Sequence, residues 1–72
     1  MSAHNFEGRL RTFVSTWDLG DEWMTDEIVD RVGLGKSLSS DRMHTRTNLM
    51  LLESEGTIER HQTGRFAFWR KP

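Results

Sequence analysis

An apolar stripe near the start of the chain is the feature that most constrains its fold. Five large apolar side chains follow the spacing i, i+4, i+7, i+8 and i+11, namely Phe6, Leu10, Phe13, Val14 and Trp17. At 3.6 residues per turn this spacing puts all five on one face of a helix. We therefore predict a helix from about Asn5 to Trp17 that buries this face.

The core has to form without covalent help, because the 72-residue chain contains no cysteine. Neither a disulfide nor a thiolate metal site can supply stability. The large apolar side chains suffice for one small interior, in which we expect the three tryptophans, Trp17, Trp23 and Trp69, to bridge the first helix, a short strand and a terminal hairpin. We predict one domain over residues 1–72. The sequence also shows neither a membrane-spanning run nor a signal peptide, so we expect a cytoplasmic protein.

Local signals predict the elements that follow the first helix. Gly20 breaks the helical pattern after Trp17, and Glu22–Met24 is a short extended segment. Thr25 is expected to be the N-cap of a second helix, which carries acidic residues in its first turn and ends near Gly33.

The third helix is predicted from about Asp41 to Ser54. A glycine-rich connection precedes it, and the last serines of that connection are expected to cap it. Its apolar residues spread around the helix instead of forming one stripe, so some of them should lie outside the core. The apolar residues of this helix are Met43, Leu49, Met50, Leu51 and Leu52.

A terminal β-hairpin is predicted from two extended runs, Thr57–His61 and Phe66–Arg70. If Thr63 and Gly64 form a two-residue turn, Ile58 lies opposite Trp69 on the inner face. A three-residue turn would instead join Ile58 to Phe68. We favour the first register, which puts Arg60 and Ala67 on the inner face and leaves Phe66 and Phe68 on the outer face beside Glu59 and His61.

The order of helix, short strand, helix, turn, helix and hairpin resembles the winged helix-turn-helix family, an α+β fold. Met24–Val29 resembles the start of that family's second helix. The stretch from Leu49 to Ile58 resembles the passage from its recognition helix into its wing. The long connection before the third helix departs from the family's usual tight turn. The resemblance covers nearly the whole chain, but it is a pattern of positions that identifies a fold better than an activity.

Charge is distributed unevenly along the chain, although the total is only −1. Residues 1–35 hold three basic and seven acidic side chains, a net charge of −4. Residues 36–72 hold seven basic and four acidic side chains, a net charge of +3. The second half is therefore the part suited to an anionic partner.

The resemblance implies that the third helix enters the major groove of double-stranded DNA and that the wing reaches the backbone. On this basis the expected DNA-binding residues are Lys36, Ser39 and Ser40 for phosphates, Arg42, His44, Arg46, Thr47 and Asn48 for bases, and Arg60, Arg65, Arg70 and Lys71 in the hairpin. The resulting prediction is a small transcriptional regulator or architectural factor like those of phages and mobile elements, acting as a monomer or as a homodimer on two half-sites.

The alternative prediction is a winged-helix module that binds another protein and not DNA. The slightly negative total charge favours it, as do spare apolar residues that would form a partner interface: Met50, Leu51, Phe66 and Phe68. The two predictions differ in whether the seven C-terminal basic residues share one surface or are scattered among acidic ones.

Catalysis is not expected from this sequence. The three histidines, His4, His44 and His61, are far apart and lack the spacing of metal ligands. Nothing suggests a nucleophile held by a histidine and an acid, and so small a core leaves little room for a substrate. We predict no metal, no cofactor and no small-molecule substrate.

Overall fold

The computed structural model describes residues 3–35 and 37–72 and shows a small α+β protein. Three helices and a three-stranded antiparallel sheet follow in the predicted order: α1 (Ala3–Ser15), β1 (Glu22–Met24), α2 (Thr25–Val32), α3 (Leu38–Ser54), β2 (Glu59–Thr63) and β3 (Phe66–Arg70). Within these described residues, no helix has the length and apolar character needed to cross a membrane.

The core joins the three helices to the inner face of the sheet. The predicted stripe of α1 is confirmed, since four of its five side chains are at most 4% exposed and Phe13 packs at the edge of the core. The buried apolar cluster consists of Phe6, Leu10, Val14, Trp17, Ile28, Val32, Leu49, Leu52, Ile58 and Trp69. Trp23 of β1 stacks on Trp17 with ring centroids 5.9 Å apart. The three tryptophans thus connect α1, β1 and the hairpin, as expected.

All three helices start earlier than predicted. Helix α1 begins at Ala3 instead of about Asn5, and it ends at Ser15, before Trp17. Helix α3 begins at Leu38, three residues before Asp41, because the hydroxyl of Ser37 accepts a hydrogen bond from the backbone N–H of Ser40 at 3.3 Å and caps the helix. Ser39 and Ser40 therefore lie in the first turn and not in the connection. Helix α2 is preceded by Met24, whose backbone N–H donates to Oε1 of Glu27 at 2.9 Å, so Thr25 is a helical residue and not the N-cap.

A buried carboxylate holds the connection between α2 and α3. Asp41, in the first turn of α3, is 7% exposed, and its Oδ2 accepts a hydrogen bond from the backbone N–H of Gly35 at 3.0 Å. The earlier start of α3 also leaves only residues 33–37 outside the two helices. The connection is therefore shorter than the sequence suggested, and it is tied to α3 by this contact.

The strand order is β1-β3-β2, and the hairpin turn consists of Gly64 and Arg65. Arg60 lies opposite Trp69, so the predicted pairing of Ile58 with Trp69 is wrong by two residues. Gly64 has a φ of +61° at the first turn position, as a type II′ turn requires. Because side chains alternate with a period of two, this shift preserves the faces. Trp69 and Arg60 remain inward and Phe68 outward, as predicted.

Candidate nucleic-acid interface

A groove of about 360 Å³ lies between α3 and the inner face of the hairpin. The first turn of α2 contributes to its lining, as do Trp69 and Ala67 from β3. The remaining lining residues are polar or charged: Thr25, Asp26, Arg42, Arg46, Arg60 and Gln62. Most of the groove lining is therefore polar or charged.

Three arginines from two elements converge on this groove. Arg42 and Arg46 are one turn apart on α3, so they project from the same side of the helix. Arg60 lies on β2 opposite Trp69 and therefore points to the inner face. Against these three positive charges the groove holds one carboxylate, Asp26. The result is a positive site on a chain whose total charge is −1.

Asp26 neutralises part of this charge. Its Oδ1 lies 3.2 Å from Nη2 of Arg42, with the two side chains 69% and 54% exposed. An ion pair this exposed is weak, since water and salt screen it and the ordering of two side chains opposes it. An incoming anion can therefore replace the carboxylate at Arg42.

The other predicted residues of α3 do not all reach the groove. Thr47 is exposed, whereas His44 and Asn48 are partly buried. The ring of His44 packs against that of Phe6 in α1 with centroids 5.5 Å apart, and the side-chain amide of Asn48 donates to the carbonyl of His44 at 2.8 Å. Both side chains thus lie on the α1 side of α3. Lys36 lies outside the described residues.

The predicted basic residues of the hairpin are also separated. Arg65 is exposed in the turn. Arg70 lies on the outer sheet face, where its Nε is 3.4 Å from Oε1 of Glu59. Glu59 also contacts His61 at 3.0 Å, and the hydrogen bonds from His61 and Arg70 lower the pKa of its carboxyl group. Lys71 donates to the carbonyl of Trp17 at 3.2 Å, near the end of α1. Of the four predicted basic residues of the hairpin, Arg60, Arg65, Arg70 and Lys71, only Arg60 lines the groove.

The apolar residues predicted as a partner interface lie on two surfaces. Met50 and Leu51 are 51% and 40% exposed on α3. Phe66, which is 52% exposed, and the partly buried Phe68 lie on the outer sheet face, whereas α3 packs on the inner side. The four residues therefore do not form one continuous patch.

Sequence reasoning assigned no binding role to Thr25, Asp26 or Gln62, which also line the groove. Gln62 carried a usable signal, because it follows Arg60 by two residues in a strand and so shares its face. The placement of Thr25 depends on how α2 packs against β3, which no local pattern encodes. Among the described residues, no three carboxylate or histidine side chains gather as metal ligands.

Comparison with known proteins found no match among protein-family models, curated proteins or solved structures.

Proposed function

We propose that this protein is a small winged helix-turn-helix domain that binds double-stranded DNA with α3 and the inner face of its hairpin. The observation that carries the proposal is the convergence of Arg42 and Arg46 from α3 with Arg60 from β2 on one groove. A helix and a neighbouring hairpin that share a positive surface are suited to a duplex, whose backbone borders the groove that the helix enters.

Affinity in this proposal comes mainly from phosphate contacts. Each guanidinium that neutralises a phosphate releases a condensed counterion, so binding weakens steeply as salt rises. Arginine suits this role because its planar fork donates two hydrogen bonds to one phosphate. At Arg42 the phosphate takes the position of the Asp26 carboxylate.

The protein acts by occupying a DNA site and not by catalysis. This makes it a transcriptional regulator or an architectural factor. A domain of this size covers a short stretch of duplex, and two copies on two half-sites would raise affinity and specificity.

The test is binding to random-sequence duplex DNA over a salt series. We compare the native chain with the Arg46→Ala/Arg60→Ala variant, which removes two groove arginines. The control is Arg70→Ala, which removes one arginine from the outer sheet face and is compared per charge removed. We expect the groove variant to bind more weakly and its log–log salt dependence to flatten by about one unit for each phosphate that is no longer neutralised. The control should behave like the native chain.

Absence of binding by the native chain at low salt would overturn the proposal. Losses of binding free energy in proportion to the charge removed, two in the groove variant and one in Arg70→Ala, would show nonspecific attraction by total charge. The groove would then have no special part in binding.

The outer sheet face supports a second candidate function, the binding of another protein. Phe66 is 52% exposed there, and Phe68 lies two residues further along the same face. This surface is on the other side of the sheet from the groove that Arg42, Arg46 and Arg60 line, which we call the arginine groove. The two functions are therefore compatible. Sedimentation of the native chain and of Phe66→Ser over a concentration series tests for self-association through this face. A monomeric mass for both chains at every concentration would contradict self-association through the outer sheet face.

A further inference from the structure

The side of α3 that faces away from the core is lined with methyl and thioether groups. Met43, Thr47 and Met50 follow the spacing i, i+4 and i+7, and we call them the methionine ridge. Met43 is 59% exposed, Met50 is 51% exposed, and Thr47 is also exposed. Two methionine side chains are thus solvent-exposed on one face of α3, and the described part of the chain does not cover them.

Helix geometry puts the ridge at the most outward position of α3. The buried side is marked by Thr45, Leu49 and Leu52, each at most 1% exposed. At about 100° per residue, the ridge lies roughly 160° around the helix from that buried side. Arg42 and Arg46 lie between the two, on the flank that faces the hairpin. The arginines therefore border the ridge and do not form it.

This arrangement matches the cross-section of the major groove. A helix in that groove presents its outermost line to the base edges and its flanks to the backbone. The only apolar group on the base edges there is the C5-methyl group of thymine. Methionine is flexible and polarisable, so its thioether fits against such a methyl group, and Thr47 adds a methyl group of its own.

We infer that the methionine ridge reads thymine methyl groups, and that the preferred site of this protein is a duplex with thymines under Met43, Thr47 and Met50. This inference rests on the proposed DNA binding and deepens it. It assigns sequence preference to the ridge and phosphate contacts to Arg42 and Arg46. His44 and Asn48, which pack on the α1 side, take no part in base reading.

The experiment first selects preferred sites from a random duplex pool with the native chain. The best site is then synthesised with uracil in place of each thymine in turn, which removes the C5-methyl group and keeps every hydrogen-bonding atom. We expect uracil at two or more positions to weaken binding, by about fourfold for each methyl group that the ridge would otherwise bury. Uracil outside the base pairs under the ridge should have no effect.

The Met43→Ala/Met50→Ala variant locates the reader of the methyl groups. It should bind the thymine site more weakly than the native chain and should no longer distinguish thymine from uracil at the positions under Met43 and Met50. Leu19→Ala is the matched control, because Leu19 is a 77% exposed apolar residue outside α3. That control should retain the discrimination. Thermal unfolding of both variants verifies that the fold is intact.

Three results would overturn the inference, and they are distinguishable. Binding of DNA with equal affinity for thymine and uracil sites would remove methyl reading and leave the proposed function standing. Discrimination that persists in Met43→Ala/Met50→Ala at the positions under Met43 and Met50 would assign methyl reading to another surface. If the native chain binds no DNA but self-associates, and the double variant does not, the ridge is a contact between copies of the chain and the proposed function fails as well.

Discussion

The indole Nε1 of Trp69 donates a hydrogen bond to Oγ1 of Thr25 at 2.9 Å. This contact joins the inner face of β3 to the first residue of α2, and both residues line the arginine groove. Trp69 is only 3% exposed, so water cannot readily replace the hydroxyl. The residue expected to cap α2 instead fixes the position of α2 against the sheet.

Loss of this acceptor should destabilise the protein. Thr25→Val keeps the shape of the side chain and leaves the indole N–H buried without a partner, which costs about 1–3 kcal/mol. Urea unfolding gives the free-energy difference. Thr25→Ser, which keeps the hydroxyl, is the control and should lose clearly less. Equal losses for valine and serine would show that the methyl group matters and the hydrogen bond does not.

Two glycines should respond to alanine with opposite signs. A Cβ at Gly33 would lie 2.7 Å from both Oδ2 of Asp41 and the carbonyl oxygen of Val29, so Gly33→Ala should destabilise the protein by about 1–3 kcal/mol. At Gly8, inside α1, a Cβ would meet no atom within 4 Å, and Gly8→Ala should stabilise it by about 0.5–1 kcal/mol. Thermal and urea unfolding of the pair measures both. A stabilised Gly33→Ala would mean that the connection relaxes.

The carboxylate of Asp41 should stabilise the connection between α2 and α3. Asp41→Ala removes the acceptor of the Gly35 N–H and should cost about 1–3 kcal/mol. Asp41→Asn keeps one acceptor oxygen and should lose less. Amide exchange of Gly35 checks the mechanism, since that amide should exchange faster in the alanine variant. Unchanged exchange in Asp41→Ala would contradict this account of the connection.

The ion pair between α1 and the end of α3 should make stability depend on pH. Both Nη atoms of Arg11 donate to Glu55, at 3.0 and 2.9 Å, and these bonds lower the pKa of the Glu55 carboxyl from its ordinary 4.5. A lowered folded-state pKa gives a contribution to stability that is present above pH 4.5 and disappears as pH falls through the lowered value.

Glu55→Gln should therefore lower Tm at neutral pH, and the difference should vanish once the pH falls below the lowered pKa of the native carboxyl. The effect should be small because the pair is solvent-exposed, and it should shrink in high salt. Glu53→Gln, two residues earlier on the same helix, is the control. A Tm difference between native and Glu55→Gln chains that persists at low pH would point to packing and not to charge.

Much of the fold was accessible to sequence reasoning because its signals are local. The stripe from Phe6 to Trp17 fixed α1 and its buried side. The start of α3 was predicted too late because Ser37, Ser39 and Ser40 can all cap a helix, and local sequence does not show that Ser37 is the one that does. The hairpin register was missed for a related reason, since a shift of two residues leaves the alternation of inner and outer side chains unchanged.

The sequence indicated which arginines line the candidate site, but it did not indicate how the predicted residues are arranged around it. Arg42, Arg46 and Arg60 were expected to bind the same partner, but their convergence depends on how α3 packs against the sheet. Asn48 was expected to be exposed, and the packing of His44 on Phe6 shows why that side of α3 is not free. Helical position alone does not reveal which flank a neighbouring helix covers.

The type II′ turn at Gly64 and Arg65 ends a ladder whose last pair, Thr63 with Phe66, lies well beyond the buried Trp69. Adding one residue to each strand just before the turn would lengthen the hairpin by about 3.4 Å and would exchange only the faces of the new tip. Adding two to each would restore the original facing. The hairpin tip is thus the place where this small domain can accept foreign sequence, such as a grafted epitope, with its interior left as it is.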